Sequence, residues 1–256
     1  MSTRERKSRT RFHGFSLIEL MFVVAIITLV LAAVLTQLEQ VQQRSTAEQG
    51  KVDDFQQARD FLDQIFRDTR QMGYPNVHNF DISIGAWQSP LVKDHRVAVG
   101  LVKLTATQLE FQGDIDGSGN VSVVSYMVNG NGNCATCIQR AQVLKVDGDP
   151  VNGQSNLAAN SYSVEVQNVQ NTAAIFTAYD SSGTAITLPI DIDNNPTIIP
   201  TVRVIQAQLK IASPSAVDPK TGQQLEADIE GRIQVVNCSM ASTGMISQTG
   251  IHLTCQ

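Results

Sequence analysis

The chain has 256 residues and a net charge of −5, and this length accommodates one or two domains. The charge is uneven, because residues 1–14 carry five basic side chains and one acid, whereas the remaining 242 residues carry 14 basic and 23 acidic side chains. An acidic body argues against nucleic-acid binding driven by phosphate neutralisation, so nucleic acid is not an expected partner.

An apolar run follows the basic segment. The 21 residues 15–35 contain one charged side chain, Glu19, and a helix of this length spans about 30 Å, the thickness of a bilayer core. The pattern allows a secretory signal peptide, a plain membrane anchor, or a leader that is removed before the run. The run is longer than an ordinary signal-peptide core, and no small-x-small cleavage site follows it, which disfavours the first. All three place the basic end in the cytoplasm and the body outside.

The helical pattern continues beyond the apolar run to residue 70, with no proline and a single glycine, Gly50. We predict a membrane-spanning part at 15–37 and an amphipathic continuation at 38–74, which Gly73, Tyr74 and Pro75 bring to an end. Spacings of three and four residues separate two faces of the continuation. The apolar face holds Phe55, Ala58, Leu62, Ile65, Phe66 and Thr69, and the polar face holds Asp54, Arg59, Asp60, Asp63, Gln64 and Arg67.

Residues 75–256 are rich in Asn, Gln, Ser, Thr and Gly, with stretches of alternating β-branched residues between turn signals. We therefore predict a β-rich domain outside the membrane, and an α+β fold in which the long helix packs against a mainly antiparallel sheet. The segment 188–200 contains three prolines and is predicted to be a loop. Candidate strands are 96–104, 108–112, 121–128, 138–146, 161–169, 174–179, 202–211 and 227–236.

Four cysteines lie in the part that would be exported, and an even number there indicates two disulfides. We favour Cys134–Cys137 and Cys238–Cys255, because each pair closes a local loop. The alternative for Cys134 and Cys137 is a metal or redox pair. Neither a second CxxC nor a neighbouring histidine supports zinc, and no βαβ pattern supports a thioredoxin-like role.

The junction Gly14-Phe15-Ser16-Leu17-Ile18-Glu19-Leu20 resembles the type IV prepilin processing motif. The basic leader, the apolar helix and its amphipathic extension are similar to that family as well. Beyond the motif, residues 58–74 resemble minor pilins of the PilW kind and the related J-type pseudopilins of type II secretion. Residues 201–211 and 230–233 resemble the C-terminal strands of these proteins.

The resemblance implies that 1–14 is a leader, that a prepilin peptidase cuts between Gly14 and Phe15, and that the new amine of Phe15 is methylated. Glu19 would then face the N-terminal amine of a neighbouring subunit. The physics agrees, because an acid in a membrane span costs up to about 2.5–3.5 kcal/mol on insertion scales and a paired amine lowers that cost. The expected partners are the peptidase, other pilins or pseudopilins, and the inner membrane before assembly.

The resemblance therefore implies a structural subunit rather than an enzyme, first anchored in the inner membrane and later in a pilus at the cell surface. A minor pilin with a priming or tip role is the main interpretation, and a type II secretion pseudopilin is the alternative. Many major pilins carry a proline in the apolar helix. The absence of this proline here favours a minor pilin or a pseudopilin over the main filament subunit. A pilus-tip adhesin is an alternative of another class.

Spaced oxygen-bearing residues lie at Asp114, Asp116, Ser118 and Asn120, as at the start of a calcium loop. The closing acid is missing, since the twelfth position is Ser125. We interpret the segment as a polar hairpin loop, with calcium binding as the alternative, and expect no other cofactor. The histidines lie at 13, 78, 95 and 252, with none at metal-ligand spacing from another. Phe80 and Trp87 are predicted to be core residues.

Overall fold

The computed structural model describes residues 16–75, 79–81, 83–128, 136–149, 156–212, 214, 216–218 and 220–235. The chain divides into two compact units, Met1–Thr46 and Ala47–Gln256. The processing pair Gly14 and Phe15 lies outside the described residues, as do Cys134, Cys238 and Cys255.

One long helix, α1, covers Leu17–Arg70 and confirms the helical pattern seen in the sequence. Its first hydrogen bond runs from the Leu20 N–H to the Ser16 carbonyl. After Arg70 the chain turns at Gly73, whose φ of 78° suits glycine. The N–H of Gly73 then donates to the carbonyl oxygen of Gln112 at 2.8 Å, so the chain leaves the helix in contact with a strand.

Beyond the helix, the described part of the second unit is built around two antiparallel sheets. The sequence had predicted a single sheet. The six-stranded sheet has the order β5-β4-β3-β2-β1-β8 and the four-stranded sheet the order β10-β9-β6-β7. Short 3₁₀ helices occur at Leu91–Lys93, Ala159–Ser161 and Ile199–Thr201. The strands are β1 Leu101–Leu104, β2 Gln108–Gly113, β3 Ser122–Val128, β4 Ile138–Leu144, β5 Tyr162–Val166, β6 Phe176–Tyr179, β7 Ala185–Ile186, β8 Ile190–Asp191, β9 Val204–Ile211 and β10 Ala227–Gln234.

Each of the eight predicted strands corresponds to an observed one, with differences at the ends. The largest difference is at 96–104, where the strand begins only at Leu101. The two-residue strands β7 and β8 were missed because they are too short to show alternation, and β8 lies inside the segment predicted as a loop.

The last part of α1 packs on both sheets through its apolar face. The ring of Phe61 meets the ring of Tyr126 in β3 edge to face, with centroids 5.7 Å apart. In β10, Gly231 lies so close to the helix that an added Cβ would stand 2.6 Å from Cζ of Phe66. The predicted faces need two corrections. Asp54 is only 6% exposed, and Phe55 is 40% exposed, so the buried sector of the helix is rotated from the one that spacing suggested.

Candidate functional site

The first part of α1 presents an uncovered apolar surface. Within the first unit, Leu17 is 77% and Leu29 is 72% exposed, and the helix is long and apolar enough to cross a membrane. Thr28 and Thr36 do not break this character, since their hydroxyls donate to backbone carbonyls three or four residues earlier in the helix. Such a surface is stable only against lipid or against other apolar helices.

Glu19 is exposed and lies in the first turn of α1. It is the single charged residue between Leu17 and Leu38. A carboxylate in the first turn interacts favourably with the positive end of the helix dipole, an effect of about 0.3–1 kcal/mol. That local effect is small beside the cost of an uncompensated acid in a membrane span, about 2.5–3.5 kcal/mol at its centre. A cation supplied by another molecule would reduce that cost.

A buried ionic cluster fixes the other end of the helix to the six-stranded sheet. Oδ2 of Asp68 accepts hydrogen bonds from the Tyr126 hydroxyl at 2.6 Å and from Nε of Arg140 at 2.8 Å. Nη2 of Arg140 lies 2.8 Å from the same oxygen and also donates to Oε1 of Gln142. The cluster joins α1 to β3 and β4, so the helix position is set by directed bonds as well as by packing.

Burial and the neighbouring Asp68 carboxylate raise the pKa of Tyr126, so its hydroxyl remains a donor at alkaline pH. Burial acts to lower the pKa of Arg140, but attraction to the Asp68 carboxylate outweighs it and raises this pKa above its usual value. This cluster was not among the features predicted from the sequence. It could have been found from the spacing of Asp68, which shares one helix face with Phe61, Ile65 and Met72. A carboxylate on such an apolar face requires a buried partner.

A second polar cluster ties the loop before β1 to the loop after β4. Asp94 accepts from Nε and Nη2 of Arg96 and from the backbone N–H of Gln88. These bonds hold its pKa well below the usual range despite a burial effect in the opposite direction. The Arg96 guanidinium stacks over Trp87 at 3.8 Å from the ring centroid. Trp87 also meets Phe80 with centroids 5.3 Å apart. Both aromatic residues were predicted to lie in the core, and the structure shows them half-buried and packed against it.

Lys145 is buried in the same cluster and donates to the carbonyl oxygens of Val92 and Val97 at 2.8 and 2.6 Å. Burial lowers the pKa of Lys145 to about 7. Nearby, Nδ1 of His95 lies 2.7 Å from Asp147, and these two with Asp94 have the proximity of metal ligands. Both oxygens of Asp94 are already bonded to the guanidinium of Arg96.

The predicted calcium-loop candidates lie together in the hairpin loop between β2 and β3. The backbone N–H of Ser118 donates to Oδ1 of Asp116 at 3.0 Å, and the N–H of Gly119 donates to Oδ2 of Asp114 at 2.9 Å. Hydrogen bonds from Ser118, first its side chain and then its backbone, lower the pKa of Asp116. Asn120 closes the loop through contacts with the Ser118 hydroxyl. The predicted hairpin is therefore present.

Cys137 is fully buried and disulfide-bonded. The other three cysteines are outside the described residues, so Cys134–Cys137 and Cys238–Cys255 stay predictions.

A comparison with family models matches residues 9–35 to the prokaryotic N-terminal methylation motif. The match includes Gly14, Phe15 and Glu19 and ends within the apolar part of α1. Neither the curated proteins nor the solved structures gave a match. The motif and the long apolar helix together fit a type IV prepilin-like protein.

Proposed function

We propose that this chain is a minor pilin, inserted in the inner membrane as a precursor and then incorporated into a type IV pilus, with a role in priming assembly or at the tip. The observation that carries the proposal is the methylation motif at 9–35 continuing into a helix whose apolar side chains are uncovered. A peptidase would cut between Gly14 and Phe15, and the new amine would be methylated. Residues 15–37 would then remain on the mature subunit.

In this proposal Glu19 is the assembly residue. Cleavage creates a cationic amine on Phe15, and Glu19 lies four positions further along the chain, about 6 Å along a helix axis. The amine of a neighbouring subunit would neutralise Glu19 in apolar surroundings, where a charge pair is much stronger than in water. This pairing would set the register between neighbouring helices, while their apolar side chains supply the contact area.

The absence of proline from α1 supports a minor subunit over the main filament subunit, by comparison with the family that the sequence resembles. It supports a type II secretion pseudopilin equally. Deletion of the coding sequence separates the two, because loss of surface pili with intact secretion is expected for a minor pilin. Loss of protein secretion with intact pili would instead assign the chain to the secretion system.

Processing is tested by intact mass measurement of the chain from membranes with and without the prepilin peptidase. We expect a chain that begins at Phe15 and carries one added methyl group when the peptidase is present. Retention of residues 1–14 in the presence of an active peptidase would refute the proposal.

The role of Glu19 is tested by Glu19→Gln, with Glu39→Gln as a matched control on the same helix. We expect Glu19→Gln to lower incorporation into sheared filaments at least tenfold, which corresponds to about 1.4 kcal/mol. The control should assemble normally. Fluorescence of Trp87, the single tryptophan, should be unchanged in both variants. Equal incorporation of the two variants would contradict the pairing between subunits.

A further inference from the structure

Asp114 carries a carboxylate oxygen that no group in the described part of the chain satisfies. The residue is 6% exposed, and its Oδ1 is buried without a hydrogen-bond partner among the described residues. Its Oδ2 is held by the N–H of Gly119 in the same loop at 2.9 Å, so the carboxylate is directed into the loop. An unsatisfied buried carboxylate oxygen is costly, and a bound cation is one of the few groups that removes the cost.

A second carboxylate lies beside it. The side chain of Asp116 is within hydrogen-bonding range of the Asp114 side chain, and two carboxylates this close require a shared proton or a cation between them. Oxygen-bearing residues alternate from Asp114 through Asp116 to Ser118, followed by Gly119 and Asn120. This order agrees with positions 1, 3, 5, 6 and 7 of a twelve-residue calcium loop. Gly119 has a φ of +83° at the position where such loops turn sharply.

We infer that the loop at 114–120 binds one calcium ion through the side chains of Asp114, Asp116 and Ser118 and the carbonyl oxygen of Asn120, with water completing the shell. Calcium suits this all-oxygen, irregular set, whereas magnesium demands a tighter octahedron. The inference is independent of the proposed function, because it rests only on a loop of the second unit.

The expected affinity is low. At the twelfth position, Ser125 is buried and bonded to the side chains of Gln108 and Tyr162, so no bidentate acid closes the shell. With only two carboxylates, the site should have an affinity like that of extracellular calcium modules, whose dissociation constants are about 10⁻⁴ to 10⁻³ M. Calcium would therefore be bound outside the cell, where it is abundant, and not in the cytoplasm.

The ion would stabilise the place where the chain leaves α1. The N–H of Asp114 donates to the carbonyl oxygen of Tyr74 at 2.7 Å. One residue earlier, an added Cβ on Gly113 would clash with the carbonyl oxygen of Gln71. The base of the loop and the end of the helix are thus in direct contact, and ordering one orders the other.

The test uses the full chain in detergent and follows its melting by Trp87 fluorescence. At about 10 mM calcium, roughly 10 to 100 times the expected dissociation constant, we expect the melting temperature to rise by about 3–10 °C over a chelator control. Magnesium at equal ionic strength should have little effect. An unchanged wild-type melting temperature in calcium would overturn the inference.

The decisive variant is Asp114→Asn, which keeps the side-chain shape and an acceptor for Gly119. Without calcium it should melt at or above the wild-type temperature, because it replaces a buried carboxylate that has one unsatisfied oxygen. With calcium its shift should be lost. Asp180→Asn is the control, since Oδ1 of Asp180 accepts from the N–H groups of Ser182 and Thr184 in a similar turn, and this variant should keep the full shift.

The pattern of results distinguishes an ion site from a structural turn. Destabilisation of Asp114→Asn in the absence of calcium would show that the Asp114 carboxylate is satisfied within the loop itself, and would contradict the inference. A calcium shift retained in this variant would place the ion elsewhere and contradict it equally. If Asp114→Asn does not fold, Asp116→Asn carries the same comparison, with loss of the calcium shift expected.

Discussion

Replacing Tyr126 by phenylalanine should destabilise the second unit by about 1.5–3 kcal/mol, the range for a hydrogen bond to a charged group. The variant removes the 2.6 Å bond to Oδ2 of Asp68 and leaves the ring against Phe61. Arg140 still pairs with Asp68, so the carboxylate does not become an isolated buried charge. For a body of this size the melting temperature should fall by about 2–4 °C per kcal/mol.

The assay is urea unfolding of the full chain in detergent, followed by fluorescence of Trp87. Tyr162→Phe is a matched control, because its hydroxyl donates at 3.0 Å to the neutral oxygen of Ser125 in the same sheet. A neutral bond is worth about 0.5–1.5 kcal/mol. The midpoint should fall further in Tyr126→Phe, with the denaturant slope unchanged. Equal losses in the two variants would refute the claim that the Asp68 cluster fixes the helix to the sheet.

Two further predictions concern packing and pH. Gly231→Ala should cost about 1–3 kcal/mol through overpacking, since the added Cβ would stand 2.6 Å from Cζ of Phe66. The double variant with Phe66→Leu should recover part of this loss in the same unfolding assay, and no recovery would place the strain elsewhere. Burial lowers the pKa of Lys145 to about 7 in the folded chain, whereas in the unfolded chain it is about 10.4. Between these two pH values Lys145 is protonated in the unfolded chain and neutral in the folded chain. Stability relative to Lys145→Met should therefore rise with pH across this window by up to about 1.4 kcal/mol per unit, and a flat difference would contradict a buried amine.

The long helix could be predicted because its signals are local. The apolar run, the lack of proline and the glycine after Arg70 each act over one or two turns. The strands were also predictable where alternation lasted four residues or more. The division into two sheets was not, because it depends on pairings such as β6 with β9, which are distant in sequence.

The side-chain clusters were not predictable for the same reason. The bond from Tyr126 to Asp68 joins residues 58 positions apart, and that from Arg140 to Asp68 joins residues 72 positions apart. Spacing within α1 placed Asp54 on the polar face, yet Asp54 is buried in the folded chain. The calcium-loop residues were visible in the sequence. The buried oxygen of Asp114, which has no hydrogen-bond partner in the described part of the chain, changes their interpretation and appears only in the folded chain.

The sequence by itself determined the membrane-length helix, its single charge at Glu19 and the motif around Gly14, because these features depend only on neighbouring residues in one continuous segment. Only the tertiary structure showed which side chains hold α1 on the sheets. It also showed that the helix leaves no room for a side chain at Gly231, and that one carboxylate oxygen of Asp114 is buried. These features depend on distances between remote segments, which burial and backbone pairing set only once the chain has folded.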